Sequence, residues 1–190
     1  MDEDLIERKV SSQRVFDGTL LQVNQDVVTL PNGSQAVREW IRHQGAAAVV
    51  PVLENGDIIM VRQYRYPIQQ VTLEIPAGKL DHPEEDPLAC ARRELKEETG
   101  YRAEHMVKLA TIATTVGFSN ERIHLYAARN LTAGEQCPDE DEFIHMTAVP
   151  FKQALAMIAD GTIYDAKSVT AILLLQQLLE KNSSFGETDI

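Results

Sequence analysis

Three glutamates, Glu94, Glu97 and Glu98, crowd a stretch reading "PLACARRELKEETG" that is otherwise rich in helix formers. On a helix Glu94 and Glu98 stand at i and i+4, and Glu97 lies three after Glu94. Their side chains can then converge on one side, with Cβ atoms about 5–6 Å apart. In water, like charges at that spacing cost about a few tenths of a kcal/mol and gain nothing. A hard cation such as Mg²⁺ reverses the sign, because it binds carboxylate oxygens and can bridge them to the phosphate oxygens of a substrate. The chemistry open to this spacing is metal-assisted attack of water on phosphorus. Taken alone, the same pattern is a solvated acidic face.

Positioning the glutamates requires a helix, and the flanking residues predict one over 87–99. Asp86 suits the N-cap, Pro87 the first helical position, and Gly100 the residue beyond the end. Leu88, Ala91 and Leu95 make an adjoining apolar stripe that would hold the helix against a sheet. Upstream the chain is strand-rich. Two hairpins are expected, "LLQVNQDVVTLPNGSQAVREWIRH" turning at Pro31-Asn32-Gly33 and "AAAVVPVLENGDIIMVRQYRY" turning at Asn55-Gly56, with a further strand in "VTLEIPAG". Downstream, "MVKLATIATT", "ERIHLYAAR" and "EFIHMTAV" look like strands. Helices are expected over 150–161 and 167–181, the last with an apolar stripe through Val169, Ile172, Leu175 and Leu179. Strands and helices mix without regular βαβ alternation, so the pattern predicts a mixed α/β or α+β fold. The end of the chain, "NSSFGETDI", has no periodicity, and 182–190 are expected to form a mobile tail.

Composition narrows the partners. With a formal net charge of −11, the chain is a poor ligand for a nucleic-acid backbone, which needs Lys and Arg to displace counterions. An anionic small molecule remains compatible if a cation bridges it to the carboxylates. The acidic start "MDEDLIERK" does not resemble an export signal, and the apolar runs "AAAVVPV" and "AILLL" fall far short of the ~20 residues needed to cross a bilayer. Cys90 and Cys137 have neither CxxC spacing nor neighbouring histidines, so no disulfide framework or zinc site is expected, and a reducing cytoplasm fits best.

The wider pattern around the glutamates resembles the Nudix box, G-x5-E-x7-R-E-U-x-E-E-x-G-U with U aliphatic. Gly78 opens it, Glu85 takes the first Glu position, and Arg93-Glu94-Leu95-Lys96-Glu97-Glu98-Thr99-Gly100 completes it. There are two departures: six residues rather than five separate Gly78 from Glu85, and Tyr101 fills the last aliphatic slot. The resemblance implies an α/β fold, a Nudix-type α/β/α sandwich around a mixed sheet with an N-terminal antiparallel hairpin region. It also implies hydrolysis of a nucleoside diphosphate linked to another group. Mg²⁺ or Mn²⁺, two or three per site, would be held by Glu94 and Glu98, by Glu97 as ligand or close neighbour, and by the backbone carbonyl of Ala77. Arg93 and Glu85 would pair to orient the helix, with Gly78 and Gly100 structural.

Segments outside the box, "RQYRYPI", "TLEIPAGKLD", "GFSNERIHLY" and "DEDEFI", resemble ADP-ribose pyrophosphatases and related nucleotide-sugar hydrolases. By that resemblance Arg65 would contact phosphate, Glu74 the adenine or ribose, and Arg42 would be a weaker substrate contact. A glutamate of the acidic loop, Glu142 in preference to Glu140, would act as general base or added ligand. ADP-ribose, cleaved to AMP and ribose 5-phosphate, is the first expectation. GDP-mannose or another nucleotide sugar is the rival, because Val116 stands where ADP-ribose hydrolases commonly carry a Pro that would stiffen the loop. A sensor without catalysis is a further alternative, though such a protein should lack some box glutamates and this chain keeps them. The resemblance also implies a homodimer built through an N-terminal strand region, 1–43, joined to a hydrolase domain over 44–181.

Overall fold

The computed structural model of the chain describes residues 2–138 and 142–181; the expected tail lies outside them. Two units are distinguished, Met1–Gln44 with Ala113–Arg122, and Gly45–Ile112 with Ile123–Ile190.

In the first unit, β1 (Arg8–Asp17), β2 (Gln22–Thr29) and β3 (Gln35–Arg42) form an antiparallel sheet in that order. The β2–β3 hairpin turns where Pro31-Asn32-Gly33 predicts. Gly33 takes φ 85°, a conformation that a side chain disfavours, and Asn32 accepts a hydrogen bond from the Ser34 amide at 3.0 Å. β2 alternates buried and half-buried residues, whereas β1 is exposed along its whole length.

The second unit contains β4 (Ala46–Pro51), β5 (Asp57–Arg65), β6 (Gln70–Glu74), β7 (Ala77–Lys79), α1 (Pro87–Thr99), β8 (Arg102–Ala113), β9 (Arg122–Thr132), β10 (Ile144–Pro150), α2 (Phe151–Ala159) and α3 (Ala166–Lys181). A mixed sheet runs β7-β4-β9-β8, with β4 parallel to β9 and antiparallel to β7. Residues of β4 alternate between two cores. Ala46, Ala48 and Val50 join Ile123, Leu125 and Ala127 in a cluster with Ala154 of α2 and Ile172 and Leu175 of α3. Ala47 and Val49 join Tyr126 and Ala128 in a second cluster with Cys90, Ala91 and Leu95 of α1. Helices therefore cover both faces of the sheet, the arrangement expected of an α/β/α sandwich. A strand buried on both faces reads as a continuous apolar run, which is why "AAAVVP" shows no alternation.

One expectation fails here. Asn55-Gly56 does form a turn, with Gly56 at φ 84°, but β4 and β5 do not pair beyond an isolated bridge at Val52 and Ile58. β5 instead pairs with β6 and β10 in a separate antiparallel sheet. Local turn chemistry was read correctly, but β4 already has hydrogen-bond partners on both edges in β7 and β9.

Candidate active site

The helix that carries the glutamates begins and ends where its capping residues predict. The Asp86 carboxylate accepts from the Leu88 amide at 3.1 Å, Pro87 is the first helical residue, and Gly100 adopts φ 76° at the C-terminal end. Ala91 and Leu95 are fully buried against the sheet. That packing turns Glu94 and Glu98 inward as well, leaving them 8% and 3% exposed.

Close approach explains the glycine of the box. β7 passes so near α1 that a Cβ on Gly78 would overlap the Glu94 carboxylate. Beside it, the Ala77 amide donates to Glu98 Oε2 at 3.2 Å. Burial pushes Glu98 up to about 8, aided by the charges of Glu94 and Glu142. Burial likewise pushes Glu94 up to about 7, against the opposing pull of Arg93 and with the help of Glu97 and Glu142. Carboxylates held in this condition gain from a cation far more than exposed ones do.

Arg93 ties the box together. It faces Glu85 at 3.6 Å, as expected, but it also donates to Glu94 at 2.7 Å, to Glu97 at 3.1 Å and to the Lys79 carbonyl at 3.0 Å. Glu94 and Glu97 thus share one nitrogen of Arg93, which keeps Glu97 a close neighbour of Glu94. Among the described residues, no three His, Cys, Asp or Glu side chains come together as a metal-binding group. The residues that fit a divalent cation are Glu94 and Glu98, oxygen donors seated in a cradle that only glycine leaves open.

The loop after β9 is fastened to this helix. Gln136 donates from its side chain to the Glu98 carbonyl, and the Cys137 amide donates to the Glu97 carbonyl at 3.0 Å. A Cβ on Gly100 would press against the Gly134 carbonyl, so the helix end and the loop meet backbone to backbone. Two residues past this clamp the sequence turns acidic. Glu142 is half-buried, and its charge is felt at both Glu94 and Glu98. Glu140 lies outside the described residues.

Arg65 lies within electrostatic reach of Glu98. Its Nε and Nη2 donate to the two carboxylate oxygens of Glu74 at 2.8 and 2.7 Å, and the charge of Glu98 adds to that of Glu74 in holding the guanidinium protonated. Glu74, expected at the base or ribose, is instead 2% exposed and enclosed by Arg65, Thr72 and Lys167. Both of its oxygens are engaged by those three side chains. Burial alone would raise its pKa, but the hydrogen bonds from Arg65 and the charge of Lys167 hold it at about 2.

Lys167 was missed by sequence reasoning. It comes from the first turn of α3, which Asp165 caps by accepting from the Ser168 amide at 3.1 Å. Buried Ser168 accepts from the Ile75 amide at 2.8 Å and so fixes α3 beside the end of β6. No spacing in the sequence links Lys167 to Glu74, 93 positions away. Arg42 belongs to the other unit, where it ends β3 and is exposed. Val116 is also in that unit and is 85% exposed. There too Glu121 accepts from Thr114 and faces His43 at 3.5 Å.

The NUDIX domain family model matches residues 42–172. This chain belongs to the NUDIX family. Among curated proteins, a methanol dehydrogenase activator of Bacillus methanolicus is 43% identical over 90% of this chain and 92% of its own length. An ADP-ribose pyrophosphatase of Bacillus subtilis (strain 168) is 40% identical over 92% of this chain and 95% of its own. A crystal structure of an ADP compounds hydrolase superposes with a TM-score of 0.83, covering 92% of this chain and 95% of that one at 23% identity, a likeness of fold. In NUDIX terms, α1 is the helix of the box and β7 is the strand that delivers its opening glycine.

Proposed function

We propose that this chain is a pyrophosphohydrolase of nucleotide sugars, cleaving ADP-ribose to AMP and ribose 5-phosphate. The observation that carries the reading is the gathering of Glu94, Glu98 and the charge of Glu142 beside Gly78, with Arg65 within electrostatic reach of Glu98. Glu94 and Glu98, with the Ala77 carbonyl and Glu97 in support, would hold two or three Mg²⁺ or Mn²⁺ ions. Such cations supply neutralisation of phosphate charge and acidification of bound water. Arg65 receives a substrate phosphate, its guanidinium aimed by the paired bonds it donates to Glu74. Arg42 is a second substrate contact. Glu142, near the buried pair, accepts the proton of the attacking water, with Glu140 on the same loop as the alternate base. Box residues Glu85 and Arg93 hold the helix in register.

The name of the Bacillus subtilis relative supports ADP-ribose, and GDP-mannose remains the rival because Val116 replaces a stiffening Pro. The chain works in the cytoplasm as a homodimer joined through 1–43. Support comes from two unpaired cysteines and from a first strand whose apolar residues, Val10, Val15 and Phe16, are all exposed. No helix among the described residues is long and apolar enough to cross a membrane, and the acidic charge disfavours nucleic acid.

The test is a panel of nucleoside diphosphate compounds with product identification, run with Mg²⁺ and with Mn²⁺. ADP-ribose should turn over fastest, and ¹⁸O water then reports the attacked phosphorus. Failure to hydrolyse any member would overturn the proposal. A second reading follows the name of the Bacillus methanolicus relative, in which the chain raises the turnover of an alcohol dehydrogenase. Equal activation by the wild type and by a hydrolytically dead Glu98→Gln variant would favour that reading.

A further inference from the structure

Arg92, Arg93 and Lys96 of α1, with Arg102 and Ala103 of β8, line a cleft of about 400 Å³. All four charged residues of the lining are cations, in a chain whose net charge is −11. Arg92, Lys96 and Arg102 are exposed, and among the described residues neither Lys96 nor Arg102 spends its side-chain charge on an ion pair. Arg92 and Lys96 stand at i and i+4, a like-charged pair that costs stability unless an anion joins it. Lys96 also complements the C-terminal dipole of α1, but that role does not extend to Arg92 in the middle of the helix or to Arg102 on a strand.

Two of the guanidinium groups are held in place by the fold. Arg92 Nη1 donates to the Ala103 carbonyl at 2.6 Å, and Arg93 is oriented by Glu94, Glu97 and the Lys79 carbonyl. Arg93 Nε is buried and makes no hydrogen bond. The volume falls within the range of small-molecule sites, roughly 300–1,000 Å³. Both Nη atoms of Arg93 are already engaged, but Arg92 commits only Nη1, and a guanidinium held in place at a concavity of this size suits phosphate oxygens.

From the convergence of Arg92, Arg93, Lys96 and Arg102 on one cleft, we infer that the outer side of α1 binds a small phosphate-bearing anion. The site goes beyond the proposed hydrolysis and stands on binding alone. It shares Arg93 with the acidic box, so an anion there draws on the same guanidinium that grips Glu94 and Glu97.

The test uses inorganic phosphate as probe, the full chain freed of divalent cations, and the side-chain Nε–H resonances of its arginines at constant ionic strength. The Arg92, Arg93 and Arg102 signals should shift together along one saturable curve. In the double variant K96Q/R102Q the affinity should fall at least about tenfold, as two charge-assisted contacts are lost. The charge-preserving variant K96R/R102K should retain binding, and both variants should remain folded at the titration temperature. Saturable shifts of equal affinity in K96Q/R102Q would overturn the inference. So would a wild-type titration in which none of the three signals saturates, including one in which only Arg65 responds.

Discussion

Gly78 and Glu94 compete for one volume: a Cβ on the glycine would overlap the glutamate's carboxylate. The glycine that opens the box and the first glutamate of its helix, sixteen positions apart in the chain, are therefore one structural element. β7 brings the glycine in, its pairing with Ala47 in β4 fixes the approach, and burial of Ala91 and Leu95 fixes α1 opposite.

Gly78→Ala should displace the Glu94 carboxylate without opening either core. Divalent-cation affinity is expected to drop about 10–100-fold, the range seen when groups supporting metal ligands are altered. Titration calorimetry with Mn²⁺ measures it, and unchanged affinity would contradict the role given to this contact.

Glu98 links activity to pH. Burial and the charge of Glu94 hold it at about 8, and burial holds Glu94 at about 7, against 4.5 for an unperturbed glutamate. Between those values the folded chain keeps protons that the unfolded chain releases, so the stability of cation-free protein falls as pH rises from about 4.5 to about 8. Melting temperatures in EDTA should decline across that window, and Mg²⁺ should restore them at its upper end. Glu98→Gln should flatten the decline and lower turnover at least about a hundredfold, since a ligand that helps neutralise phosphate charge is gone. A melting temperature that climbs with pH in EDTA is the contrary result.

Glu74 behaves in the opposite sense. With its pKa held at about 2, it contributes stability that is present above the ordinary glutamate range and is lost as pH falls through about 2. Glu74→Gln leaves Arg65 and Lys167 without their shared anion and should cost about 3 kcal/mol in urea denaturation. KM for the substrate should rise more than kcat falls, because Arg65 loses its aim. A variant of wild-type stability would show that the three groups are not coupled.

The clamp between the loop and α1 predicts a purely kinetic defect. Gln136→Ala removes the bond to the Glu98 carbonyl and frees the segment leading to Glu142. A kcat about tenfold lower is expected from misplacement of the base, with Mn²⁺ affinity unchanged. Steady-state kinetics beside calorimetry separates the two, and a matching loss of metal affinity would move the effect to the helix.

Exposed apolar residues on β1 predict association. Phe16→Glu with Val10→Glu should convert a dimer to a monomer by light scattering. A monomeric wild type would sink the expectation.

Much of the site was legible because its signals are local. Asp86-Pro87 and Gly100 delimit α1, the i, i+4 spacing sets Glu94 and Glu98 on one side, and Asn-Gly and Pro-Asn-Gly place both turns. Each depends on backbone geometry within a few residues, where amino-acid type alone discriminates. The pairing of β4 was not legible, since a strand buried on both faces carries no alternation to report its neighbours, and a turn does not oblige its flanking strands to pair.

What the sequence determined by itself is the helix, its caps, and the set of residue types able to bind a cation. Tertiary structure alone decided which of them meet. It enclosed Glu74 between Arg65 and Lys167 and brought the charge of Glu142 to bear on Glu98. The reason is that those partners come from different elements, as far as 93 positions apart for Glu74 and Lys167. They are set by how the elements pack, and burial then raises the proton affinity of Glu94 and Glu98 while Arg65 and Lys167 lower that of Glu74.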